Sequence, residues 1–313
     1  MAREALAGLR AYESAPRASR PDPKPELARI RGAALRDYGG EGRPAVLIPS
    51  LINPPRILDL DPDVSLASAI ARMGRRSLLL DWGPASQRAD LSVGGHIEDL
   101  LLPLLRDVGE PPALIGYCLG GTMAVAVANL GPAERVATLA APWRFSHYPE
   151  ASRAALKDMW AHSKGPAAGL GALPMEVLQA AFWSLDPART VRKFAEFARL
   201  DPDSAEFQRF IELEDWANEG EALPIPAATE LIEDLFGNDL PGSGRWLVGG
   251  SPVTAELSVP LLNILAGHDR IAPADTAPPG DSVEIASGHV GMVVGSAHQE
   301  LHKSLAAFLA PCR

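Results

Sequence analysis

Three side chains define the chemistry open to this chain: a cysteine, an aspartate and a histidine, each set apart by its neighbours. Gly116-Tyr117-Cys118-Leu119-Gly120-Gly121 follows the apolar run Ala113-Leu114-Ile115 and opens another, Thr122–Leu130. That is the strand–turn–helix context of a nucleophile elbow, G-x-S-x-G, with Cys in the place of Ser. The glycines have a physical reason. A nucleophile held in a strained turn at the carboxyl edge of a sheet needs neighbours two positions away that lack side chains. The helix beginning there directs backbone N–H groups and a positive dipole end at the sulfur, which favours negative charge on it. The amide of Leu119 is then placed to donate into an oxyanion hole.

An elbow nucleophile needs a base, and the base needs an orienting acid, in the chain order nucleophile, acid, histidine. Both follow. Leu261-Leu262-Asn263-Ile264-Leu265-Ala266 ends in Gly267-His268-Asp269-Arg270, and Val283-Glu284-Ile285 leads through Ala286-Ser287-Gly288 to His289. Each stands just past a strand candidate, where a side chain can reach the elbow. The expected roles are Cys118 attacking an acyl carbonyl, His289 as general base, and Asp269 orienting His289. The second oxyanion amide is expected in the loop after Ala45–Ile48, at Leu51, with Ser50 next.

Other candidates read as structural. His268 points the other way from a strand end, which suits the surface. His298 and His302 are four apart, but His298-Gln299-Glu300-Leu301-His302 is not the H-E-x-x-H order and lacks a third ligand, so a solvated face is expected and no metal. Asp61, Asp63, Asp201 and Asp203 form Asp-Pro-Asp pairs that signal turns or helix starts.

Short apolar runs alternating with helical patterns supply the elements that must hold these residues. Strands are expected at 45–48, 77–80, 113–117, 136–140, 261–266 and 283–285. Helices are expected near 64–73, 96–108, 122–130 and 296–309. Continuous apolar strands separated by helices imply a parallel sheet covered on both faces. Between Pro142 and Pro260 the periodicity is helical, with Trp143, Trp160, Trp183, Trp216 and Trp246 inside the stretch. The expected organisation is an N-terminal helix and Pro-rich linker (1–29), an α/β core (30–141 and 259–313) and an inserted helical cap (142–258).

Composition narrows the rest. The chain has 313 residues, 47% hydrophobic and 22% charged, with a net charge of −10. So acidic a chain has no global field for nucleic acid or anionic lipid. Its two cysteines, Cys118 and Cys312, make no disulfide framework. The N-terminus shows no apolar signal region, and the uncharged stretch 111–133 carries Gly116, Gly120, Gly121, Thr122 and Asn129, which suit a strand, turn and buried helix better than a membrane span. A cytoplasmic protein is expected.

The set of motifs resembles the polyhydroxyalkanoate (PHA) synthases of the α/β-hydrolase superfamily. Gly116–Gly121 matches their lipase-like box with cysteine as nucleophile. Pro49-Ser50-Leu51-Ile52-Asn53 with Ile57-Leu58-Asp59-Leu60, Asp81-Trp82-Gly83, Phe182–Pro187, Glu212–Trp216, Gly237-Asn238-Asp239-Leu240, Gly249-Gly250, Gly267–Pro273 and Ser287-Gly288-His289 are similar to further landmarks of the family. The departures are Pro54-Pro55-Arg56 where a basic and an aromatic residue are usual, His268 before Asp269 where the family has Asp-His, and the lack of the extended N-terminal region of larger members.

The resemblance implies an α/β-hydrolase fold with an inserted helical cap. It implies loading of a 3-hydroxyacyl group from CoA onto Cys118, attack by a hydroxyl with His289 as base, and help from Asp269 in activating that hydroxyl. A homodimer and association with polyester granules follow from the same resemblance, with acyl-CoA as substrate and no cofactor. Two other readings stand beside it. With water as acceptor the same triad is a thioesterase, esterase or polyester depolymerase, and the same fold can serve a non-catalytic accessory protein.

Overall fold

The computed structural model describes residues 2–17, 19–184 and 187–310, with backbone alone at 181–184 and 187–190. Eight strands form its central sheet: β1 (Glu26–Ile30), β2 (Ala33–Asp37), β3 (Pro44–Ile48), β4 (Arg76–Asp81), β5 (Ala113–Tyr117), β6 (Arg135–Leu139), β7 (Leu261–Ala266) and β8 (Asp281–Ile285). Their spatial order is β1-β2-β4-β3-β5-β6-β7-β8. From β4 to β8 all neighbours are parallel, and β2 joins β4 antiparallel. β3, β5 and β6 are buried at every position. That is why they read as unbroken apolar runs: each is covered on both faces. With helices on both sides of a mostly parallel sheet, this is the α/β-hydrolase fold.

Helices α1 (Ala2–Ser14) and α2 (Leu66–Arg72) precede a longer α3 at 93–106. Its middle turn, Ile97–Leu101, is π-helical, which admits Pro103 in the following turn without breaking the element. Helix α4 (Leu119–Leu130) springs from the elbow and is buried from Leu119 through Val127. Between β6 and β7 the chain is mainly helical: α5 (Glu150–Leu170), α6 (Met175–Ser184), α7 (Pro187–Phe197), α8 (Ala205–Asn218) and α9 at 225–237. Helix α10 (His298–Leu309) closes the fold.

The Asp-Pro-Asp pairs behave as turn signals. Asp61 and Asp201 each accept the amide two residues on, and Ser65 and Ser204 cap the helices that follow.

Three features depart from the expected organisation. The folded part begins before Ile30, because β1 and β2 form an antiparallel hairpin on the sheet edge. The N-terminal helix also does not stand apart. It packs so closely on α7 that a Cβ on Gly8 would lie 1.9 Å from the Phe194 carbonyl oxygen. Tyr12 and Arg17 both hydrogen-bond Asp215 of α8. Third, the inserted stretch is not strand-free. Two-residue ladders join Ala172–Leu173 to Leu223–Pro224 and Leu247–Val248 to Ser251–Pro252.

Gly237-Asn238-Asp239-Leu240 braces the two ends of the insertion against each other, since Asp239 accepts the Phe145 and Gly242 amides. Most of Phe182–Pro187, including the Trp183 side chain, lies outside the described residues, as does Cys312. No helix among the described residues is long and apolar enough to cross a membrane.

Candidate active site

Cys118 stands between β5 and α4 with φ +56 and ψ −130, a strained conformation for a residue with a side chain. The surrounding chain makes it the stable one. The Cys118 amide donates to the Leu139 carbonyl at 2.9 Å, and the Cys118 carbonyl accepts from Gly121 at 2.8 Å. Two glycines make the turn passable. A Cβ on Gly116 would lie 2.3 Å from the Gly120 carbonyl oxygen, and one on Gly120 would lie 2.1 Å from the Ile48 carbonyl oxygen. Both obstacles are backbone, so no rotamer change relieves them. Cys118 itself is free and partly exposed. Leu119 begins α4, so its amide has no acceptor within the helix and lies beside the sulfur's residue.

Asp269 and His289 leave the carboxyl ends of β7 and β8, on the same sheet edge as Cys118. The Asp269 side chain is fully buried, and every contact fixes it. Its Oδ1 accepts the amides of Ile271 (2.7 Å) and Ala272 (3.0 Å), and its Oδ2 accepts from His289 Nδ1 at 2.6 Å. Three such bonds leave the carboxyl group facing the ring with no freedom to turn away. Cys118 lies close enough to the His289 imidazole for its charge to act on the ring. Burial works against a charge on that ring. Negative charge at Cys118, then the bond to Asp269, outweigh burial and push the His289 pKa up to about 10. The structure thus brings Cys118, His289 and Asp269 together at one sheet edge, with the His289–Asp269 pair hydrogen-bonded.

Cys118 and His289 open onto a cavity of about 170 Å³ with mainly apolar walls. Ser50, Ile52, Asn53 and Pro54 of the loop after β3 form one side. Met175, Gln179 and Trp216 of the inserted helices face them. The two sides are joined: Trp216 Nε1 donates to the Pro54 carbonyl at 2.9 Å, and the Glu221 amide donates to the Ile52 carbonyl at 3.2 Å. Leu51 does not line the cavity with its side chain, which packs into the core at 2% exposure.

The remaining sequence candidates lie elsewhere. His268 is exposed. His298 and His302 are half-buried rather than solvated: their rings meet edge to face at 5.3 Å, His298 Nδ1 bonds the Gly295 carbonyl, and His302 Nε2 is buried without a partner. No group of three metal-ligating side chains occurs among the described residues.

Sequence reading missed the tyrosines around the acid and the base. Tyr148 donates to the Ile271 carbonyl at 2.8 Å and so anchors the Asp269 loop, and Tyr117 lies against the His289 ring. The identity of Tyr117 as the residue beside the nucleophile was the available signal.

No family model matches the chain. It is 26% identical over 288 residues to the poly(3-hydroxyalkanoate) polymerase subunit PhaC of Haloferax mediterranei, covering 85% of this chain and 58% of that protein. To the PhaC subunit of Allochromatium vinosum it is 26% identical over 291 residues, covering 85% of this chain and 80% of that one. The chain thus spans less than two thirds of the haloarchaeal relative. Among solved structures, a hydrolase from Pseudomonas aeruginosa PA01 superposes with a TM-score of 0.57 at 17% identity, covering 89% of this chain and 94% of that one. The likeness to PHA polymerase subunits therefore extends over most of the chain, and the solved structure shares its α/β-hydrolase fold.

Proposed function

We propose that the protein is a PHA-synthase-type acyltransferase, moving 3-hydroxyacyl groups from CoA thioesters to a hydroxyl acceptor through an acyl-cysteine at Cys118. The observation that carries the reading is Cys118 on an elbow sharing one apolar cavity with His289, whose Nδ1 is hydrogen-bonded to Asp269. The similarity to polymerase subunits supplies the substrate class.

The steps follow from the charges. The Cys118 thiolate attacks the thioester carbonyl, and the oxyanion takes hydrogen bonds from the Leu119 amide and, in this reading, the Leu51 amide. Collapse expels the CoA sulfur, which takes the proton from the His289 nitrogen facing it and leaves as a thiol. Acylation also neutralises Cys118. The largest influence raising the His289 pKa is then gone, and the neutral imidazole becomes a base matched to its second task. It accepts the proton of the incoming hydroxyl, the alkoxide attacks the acyl-cysteine, and the thiolate–imidazolium pair is restored. Exchange of one thioester for another keeps the acyl group activated between the two halves.

The apolar walls disfavour water as the competing acceptor. None of these steps calls for a metal or cofactor. The same reading brings a homodimer, contact with polyester granules and a cytoplasmic location.

The test is incubation with 3-hydroxybutyryl-CoA, scoring free CoA, free acid and oligomer. Oligomer with CoA release is the expected result, abolished in Cys118→Ala. CoA release with monomeric acid alone moves the protein to the thioesterases. Cleavage of an aryl ester without CoA release moves it to the esterases. No acyl adduct on Cys118 with any substrate removes the catalytic reading.

A further inference from the structure

Tyr117 immediately precedes the nucleophile, and the steps above give it nothing to do. It is 3% exposed, at the carboxyl end of β5. Side chains alternate along a strand, so Tyr117 enters the layer that holds Ile57 and Met292, under the loop that carries His289. There its ring lies 5.0 Å from the His289 ring, centroid to centroid, with the planes 34° apart. Its hydroxyl donates to the His289 carbonyl at 3.3 Å. The tyrosine is thus tied at its far end to the residue whose ring it covers.

Four polar or charged groups surround His289. Asp269 hydrogen-bonds its Nδ1, and the charge of Cys118 acts on the ring from nearby. Tyr117 covers a face, and Tyr148 is close enough to Cys118 and Asp269 to feel both charges. Neither phenol is suited to move protons. Burial, followed by the negative charges of Cys118 and Asp269, raises the pKa of each well above the usual tyrosine value. What Tyr117 can offer is therefore its ring. The negative face of a desolvated aromatic ring attracts a cation within about 6 Å of its centroid. The one bond to Asp269 fixes the direction of Nδ1 but leaves the ring's tilt about that bond unsupported.

We propose that Tyr117 is a positioning residue whose ring face holds the His289 imidazolium in alignment between Cys118 and Asp269. The proposal rests on the reading of Cys118 and His289 as the reacting pair. The protonated ring is present twice in that reading: in the resting pair, and when the proton passes to departing CoA. A neutral His289 loses most of the attraction, so the contact favours the resting state and relaxes as the base is needed.

The experiment replaces Tyr117 in the full chain by Phe and then by mono-, di- and trifluorophenylalanine. Shape stays nearly constant while the negative charge of the ring face is withdrawn. The readout is the titration midpoint of His289 by imidazole NMR, alongside the pH profile of Cys118 alkylation. Tyr117→Phe is expected to keep the midpoint. Each added fluorine lowers it, to about one pH unit below wild type with three fluorines, and Tyr117→Leu moves it in the same direction. A midpoint that stays constant across the fluorinated series overturns the proposal, even where turnover falls. The two readings fail separately: a fluorine-dependent midpoint without acyl turnover removes the function and keeps the contact, and turnover with a constant midpoint does the reverse.

Discussion

Asp269 shows how much of this site rests on single atoms. One carboxylate oxygen is consumed by two backbone amides, so the other is presented to His289 without freedom to turn away. In Asp269→Asn the amide group must present either an NH2 to a ring N–H or an NH2 to two backbone amides. Either choice breaks bonds, and the ring loses the tautomer that faces Cys118. The expected loss is about 10³–10⁴ in kcat with little change in KM, measured by single-turnover CoA release. The variant also reports through stability. The folded His289 pKa lies above the ordinary 6.5, at about 10, so its stabilisation is complete below pH 6.5 and is withdrawn as pH rises towards 10. The melting temperature of Asp269→Asn should therefore lie furthest below wild type near pH 6.5, with the gap narrowing towards pH 10 to the part due to the broken amide bonds. A constant gap across that range rejects the assignment. At this scale the meeting of Cys118, Asp269 and His289 at one sheet edge was legible because each follows an apolar strand. Tyr117 and Tyr148 were not, because their partners are 172 and 123 residues away, and no local pattern encodes such a contact.

Elements follow the same division. The parallel strands were legible because burial on both faces forces continuous apolar runs. β1 and β2 were not, since an edge hairpin with mixed exposure leaves Leu27-Ala28-Arg29-Ile30 and Ala33-Ala34-Leu35-Arg36 without a distinct period. The helices of the insertion were legible from their periodicity, but not the way α8 holds the loop after β3. Trp216 lines the cavity and donates to the Pro54 carbonyl, and Pro54 is one of the residues at which the chain departs from its family pattern. The two prolines cost that loop amide donors, and the indole supplies one from the opposite wall. Trp216→Phe keeps an aromatic wall and removes that bond. The expected result is an increase in KM of about fivefold, corresponding to about 1 kcal/mol, with kcat reduced less than twofold. If kcat falls and KM is constant, Trp216 acts on the oxyanion loop during chemistry rather than on the closed form of the cavity.

Across the whole molecule, the three side chains of the proposed triad come from the carboxyl ends of β5, β7 and β8, although the insertion separates the first from the others along the chain. The loop after β3 lies on the same edge, and it is backed by a buried polar group with its own pH dependence. Trp82 Nε1 donates to the Pro49 carbonyl at 3.1 Å, and the indole packs edge-on against His96 at 5.6 Å. His96 is fully buried. It donates through Nδ1 to the Ser92 carbonyl (2.6 Å) and accepts from the Arg88 guanidinium at Nε2 (3.1 Å), so its bonds specify the neutral ring. Burial lowers its pKa from 6.5 to about 4, with the adjacent Arg88 charge acting in the same direction. His302, buried in part and facing His298 and Arg72, is also lowered to about 4. The sign is then fixed. Between pH 6.5 and 4 the unfolded chain binds protons at these sites that the folded chain does not. Stability is therefore full above pH 6.5 and falls as pH drops, by about 1.4 kcal/mol per pH unit for each histidine, or about 3 kcal/mol in all from His96. Urea unfolding at pH 5.0, 5.5, 6.0 and 6.5 avoids most carboxylate titration. His96→Gln keeps an acceptor toward Arg88 but cannot be protonated, and should remove one proton's worth of that slope. A slope identical to wild type would mean that His96 is charged in the fold and that the Arg88 contact is not its resting arrangement.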